Sequence, residues 1–111
     1  MLKIKSGVDM LGIRAELSLA LFIADSVFED KGFDCVVTSL RDGTHKPGSW
    51  HYSGWAADLR SKHLGSEAIK GVLLEALLLA LGSQWEVILE HLGKPNEHLH
   101  LEPSNKMKAT K

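Results

Sequence analysis

The chain has 111 residues, of which 44% are hydrophobic and 24% charged, with a formal net charge of −1. That is the size and balance of a single domain, 1–111, with one core and no room for a second folding unit. The near-neutral charge gives no footprint for nucleic acid or an acidic membrane, and with Cys35 as the sole cysteine an intrachain disulfide is excluded.

From Arg14 to Glu29 the apolar residues Leu17, Leu21, Ala24, Val27 and Phe28 recur at helical spacing, and Lys31-Gly32 supplies a stop. Asp34 to Ser39 is a short β-type run in which Cys35 reads as a small buried hydrophobe. Arg41 to Ser49 is polar, with Gly and Pro, and reads as a loop. Gly54 to Leu59 reads as a strand. A second helix runs from Ser66, a suitable N-cap, to Leu81, with Gly82 just past its end. Trp85 to Glu90 and His98 to Glu102 are strands joined through the turn Gly93-Lys94-Pro95-Asn96, and Pro103 stops the second. The terminal hairpin implies an α+β fold, a small antiparallel sheet with helices packed on it. The core spans about 15–103, and 104–111 is expected to be a flexible, locally basic tail.

Met1-Leu2-Lys3-Ile4-Lys5 contains no apolar stretch of signal-peptide length, and the longest apolar run, Gly71 to Leu81, is broken by Glu75 and too short to span a bilayer. The expectation is a monomer made in the cytoplasm, without membrane insertion.

Two segments are chemically pointed. The first contains Ser49, Trp50, His51, Gly54, Ala56 and Asp58; the second is Glu97-His98-Leu99-His100. Imidazole and carboxylate are both good zinc ligands, and an aspartate in an otherwise apolar strand needs a partner or a metal. Strand alternation turns His98, His100 and Glu102 to one face, and Leu99 and Leu101 to the other. The set of imidazoles, one metal-binding carboxylate and one spare carboxylate is the inventory of a hydrolytic zinc site.

The pattern Ser49-x-His51-x-x-Gly54-x-Ala56-x-Asp58, followed by Glu97-x-x-His100, resembles the M15 group of zinc peptidases, which includes D-alanyl-D-alanine carboxypeptidases and dipeptidases and phage L-alanyl-D-glutamate endopeptidases. The resemblance implies the fold these enzymes share with the hedgehog signalling domain. It implies that His51, Asp58 and His100 bind zinc and that Glu97 is the catalytic acid or base. Arg41 would hold substrate or the developing oxyanion, and Ser49 would orient the ligand loop or the substrate. Trp50 and His98 flank these positions and are further substrate-binding candidates.

The resemblance thus implies hydrolysis of amide bonds in peptidoglycan stem peptides or cross-links. The enzyme would be a phage or prophage lysis enzyme or virion-carried hydrolase reaching the wall after release, or a bacterial carboxypeptidase. The alternatives are a cytoplasmic D-Ala-D-Ala dipeptidase and a non-catalytic metal-binding domain of hedgehog type. Three local readings also stay open. A regular strand would put Glu97 and His100 on opposite faces, His98 and His100 could form a His-x-His metal pair, and Glu102 is a rival for the base. His45, His63 and His91 fit no pattern and are expected to be solvated.

Overall fold

The structure, a computed structural model, describes residues 1–42, 49–51 and 53–105. Helix α1, Ala15–Asp30, buries Leu17, Ala20, Leu21, Ala24 and Phe28 along one stripe. Helix α2, Glu67–Leu81, starts where the Ser66 hydroxyl accepts from the Ile69 amide at 3.2 Å, satisfying a donor that the helix itself leaves orphaned. It ends at Gly82, whose positive φ of 76° suits a residue without a Cβ.

The strands are β1 (Leu2–Ile4), β2 (Cys35–Ser39), β3 (Ala57–Arg60), β4 (Trp85–Glu90) and β5 (His98–Pro103), in spatial order β1-β2-β3-β5-β4. A short 3-10 turn, Lys62–Leu64, follows β3. The expected sheet was purely antiparallel; the observed one is mixed, because β1 pairs with β2 in parallel register. β1 escapes the sequence reading because its two apolar residues, Leu2 and Ile4, alternate with lysines over too short a run. What holds it is backbone pairing to Cys35, Val36 and Val37. The strand expected from Gly54 begins only at Ala57, since Gly54 has a φ of 80° and belongs to the preceding turn.

Both helices pack on one face of the sheet. The core between them contains Val37, Ala57, Leu59, Val87, Leu99 and Leu101 from the strands and Leu17, Phe28, Leu73 and Leu77 from the helices. Trp55 joins this core, in keeping with its parity with Ala57 and Leu59. Cys35 is fully buried and desolvation pushes its thiol up to about 12, so it is packing material and not a nucleophile. His63, expected in solvent, is instead half-buried. Its ring stacks on Phe28 at 6.2 Å, meets Phe33 edge-on, and donates from Nε2 to the Asp34 carbonyl at 2.7 Å. His91 is exposed. His45, most of the Arg41-to-Ser49 loop and the basic end of the tail lie outside the described residues. Among the described residues no helix is long and apolar enough to cross a membrane.

Candidate metal centre

The face of the sheet opposite the helices carries the polar positions of three adjacent strands. Register places Asp58 of β3 opposite His100 of β5, Arg60 opposite His98, and His98 opposite Glu90 of β4. Side chains opposite one another on one face approach to about 5 Å, so this pairing alone gathers Asp58, His98, His100 and Glu90. β2 and β3 are joined across an irregularity at Val37 to Ser39, where the Thr38 hydroxyl donates to the Asp58 carbonyl at 3.3 Å. Such bulges re-aim neighbouring side chains.

His51 comes to this group from a tight loop. The Ser49 hydroxyl accepts from the His51 amide at 3.2 Å, the Gly54 amide donates back to the His51 carbonyl at 3.1 Å, and the Trp55 amide to the Trp50 carbonyl at 3.0 Å. Ser49 is thus hydrogen-bonded within the loop that carries His51. The loop is fastened to the start of α1, where the Arg14 amide donates to the Gly54 carbonyl and its guanidinium lies over the Trp55 ring at 5.5 Å. A Cβ at Gly54 would collide with the Gly12 carbonyl oxygen. The glycine is thus needed both for its positive φ and for this close approach. Trp50 is half-buried and packs against the core.

One oxygen of Asp58, Oδ1, is the focus. It lies 3.2 Å from His51 Nε2, 2.9 Å from His100 Nδ1 and 3.4 Å from His98 Nε2. The other ring nitrogens are already committed as donors: His51 Nδ1 to the Leu40 carbonyl at 2.6 Å, His98 Nδ1 to the Asn96 carbonyl at 2.8 Å, and His100 Nε2 to the Glu102 carboxylate at 2.9 Å. In the neutral rings each remaining nitrogen presents a lone pair, and these lone pairs converge on an anionic oxygen. Only a cation resolves that arrangement, either ring protons or a metal ion. The side chains of Asp58 and His51 are 12% and 2% exposed, so water does little to relieve it.

The protonation tendencies follow from this geometry. Burial would raise the Asp58 carboxyl, but hydrogen bonds from His100 and His51 and the nearby imidazoles outweigh it, holding the group well below the usual carboxylate range. Burial would lower His100, but its hydrogen bond to Asp58, that charge, and Glu90 and Glu102 raise it above an ordinary histidine.

The donor set fits a metal ion. Tetrahedral ligands at bonds of about 2.0–2.2 Å lie roughly 3.3–3.6 Å apart, close to the separations around Asp58 Oδ1. His51, Asp58 and His100 form one group that could hold an ion; Glu90, His98 and His100 form a second that shares His100. The orienting Leu40 carbonyl and Glu102 carboxylate are the partners that metal-binding imidazoles usually have.

Two expected site residues are placed elsewhere. Glu97, expected as the acid or base, turns toward α2. Its Oε2 accepts from Ser61 at 2.5 Å, and its Oε1 from Lys70 at 2.9 Å and from the Gly93 amide at 3.0 Å. The parity that puts Leu99 and Leu101 in the core puts Glu97 on the same side, away from His100. The Gly93 amide, Ser61 and Lys70, in that order, lower its carboxyl to about 2, making it a poor proton acceptor near neutral pH. Arg41, expected at the oxyanion, is exposed and donates to the Leu11 carbonyl at 2.9 Å, without a contact to the His/Asp group among the described residues.

Sequence reasoning missed two contributors. Glu90, whose Oε1 meets His98 Nε2 at 2.8 Å, becomes legible only once the hairpin register pairs Glu90 with His98. Lys70 had a signal in plain view, since it precedes Leu73, Leu77 and Leu81 on the buried stripe of α2, where a cation requires a partner.

Comparison with protein-family models, curated proteins and solved structures finds no match.

Proposed function

We propose that this chain is a zinc-dependent peptidase, with His51 Nε2, Asp58 and His100 Nδ1 holding the ion. The observation that carries the reading is the convergence of imidazole nitrogens on Asp58 Oδ1 while their opposite nitrogens are fixed by Leu40 and Glu102. When bound, zinc supplies a water whose pKa falls to about 7 and Lewis-acid polarisation of a carbonyl. Leu40 and Glu102 fix the ring orientations of His51 and His100, so the ligand set is organised before the ion arrives. Glu90 and His98 flank this set; Glu90, 38% exposed, would accept a proton from a water and return it to a leaving amine. Glu97 instead braces the turn before β5 against α2.

The resemblance of the two motifs to the M15 peptidases, and the helices-on-one-face, site-on-the-other arrangement, support the hedgehog/DD-peptidase-like assignment and a peptidoglycan peptide as substrate. A phage lysis or virion-associated enzyme reaching the wall after release is the corresponding setting.

One observation favours a second reading, a non-catalytic metal site. His98 Nε2 is 3.4 Å from Asp58 Oδ1, near enough to serve as a fourth protein ligand and close the position that a substrate needs.

The test is mass spectrometry of purified peptidoglycan after incubation with the zinc-loaded protein. Cleaved stem peptides or cross-links are expected. Bound zinc with an unchanged fragment pattern would favour the closed site. Glu90→Gln should keep zinc and lose about 10²–10⁴-fold in turnover, whereas folded Glu97→Gln should retain it; the reverse outcome would restore Glu97 as the base.

A further inference from the structure

Beside the metal face lies a recess of about 380 Å³ whose walls include Lys5, Arg60 and Lys62, with Thr38, Asn96 and His98 completing the polar lining. Glu97 also reaches this wall, but its charge is already met by Lys70. Lys62 is pinned at the rim by donating to the Pro95 carbonyl. Arg60 and Lys5 have no ion pair or side-chain hydrogen bond among the described residues. Like charges gathered around a concave wall repel one another, and an anion relieves them.

The location gives this charge a use. Arg60 stands two residues after Asp58 on the same strand and directly opposite His98. Two residues of strand are about 7 Å, so an anion at Arg60 lies within one or two peptide units of a group at the Asp58 cluster. Arg41, the cation expected to hold substrate, is tied to the Leu11 carbonyl instead.

We propose that this recess, built by Arg60 and Lys5 with Lys62 at its rim, is the subsite that recognises a free carboxylate of the substrate peptide. A guanidinium offers the fork that a carboxylate matches with two parallel hydrogen bonds, and the lysine ammonium adds charge without demanding one geometry. The inference rests on the peptidase reading, whose substrates it narrows to peptides with an unblocked carboxylate close to the bond that is cut.

The experiment is a titration of the zinc-supplemented protein with N-acetyl-D-alanine and, separately, its C-terminal amide. Binding is followed by NMR shifts of backbone amides, and hydrolysis of peptidoglycan is measured in parallel. The acid should bind at least about tenfold more tightly than the amide, as expected for charge-assisted hydrogen bonds. Arg60→Ala with Lys5→Ala should abolish that preference, Arg60→Lys should retain part of it, and Arg41→Ala should leave it intact. All these side chains are exposed, so the folded state is expected to survive; amide dispersion checks this directly. Equal affinity for acid and amide, no binding of either at tens of millimolar, or a preference that survives the double substitution would each overturn the subsite. Acid preference without peptidoglycan cleavage would sink the peptidase reading and leave the subsite standing, whereas cleavage without acid preference would do the opposite.

Discussion

Replacing Glu97 by alanine separates a structural carboxylate from a catalytic one. The substitution removes acceptors for Ser61, Lys70 and the Gly93 amide and leaves the Lys70 ammonium, 9% exposed, without its partner. Breaking a fully buried pair by deleting one member costs about 3–5 kcal/mol. The pair is buried but borders open recesses at the edge of the fold, so about 2–4 kcal/mol is expected. Against a stability of roughly 5–15 kcal/mol for a domain of this size, that is a large fraction, and it lowers Tm by about 10–20 °C. Urea unfolding followed by tryptophan fluorescence measures it. The pH dependence has a definite sign. The folded carboxyl is depressed to about 2 from its ordinary 4.5, so its contribution is fully present above about pH 4.5 and is lost as pH falls through 2. Wild type should therefore lose more stability over that window than Glu97→Gln. A Glu97→Ala protein as stable as wild type but inactive with zinc bound would refute the bracing role and return Glu97 to catalysis.

Gly54→Ala should cost at least about 2 kcal/mol, since it forces a side chain into positive φ and against the Gly12 carbonyl; it should also weaken zinc binding by displacing the His51 loop. Thermal unfolding and a zinc titration read the two effects. Glu102→Ala should lower zinc affinity about 10–100-fold with little change in fold, because it frees the ring of His100, and competition with a chelating dye measures this.

Much of the fold was legible because both helices and the terminal hairpin carry local signals: the stripe from Leu17 to Phe28, the Ser66 cap, and the alternation from His98 to Glu102. β1 was not, since its pairing depends on a distant strand. His51, Asp58 and His100 were legible because their residue types are costly to bury without a partner. Strand parity already set Glu97 opposite His100, and only the motif assigned it to the site; the structure follows the parity, with Lys70 and Ser61, residues distant in sequence, holding the carboxylate there. Arg41 was misplaced for a similar reason, its acceptor coming from the segment before α1.

The central claim is that the imidazoles around Asp58 are organised for a metal ion. Isothermal titration of chelator-treated protein with zinc, alongside Asp58→Ala and His100→Ala, tests it most directly. The account predicts one tightly bound zinc per chain in the wild type and loss of that binding in both variants while they remain folded. Absence of zinc binding by the wild type, or undiminished binding by the variants, would contradict it.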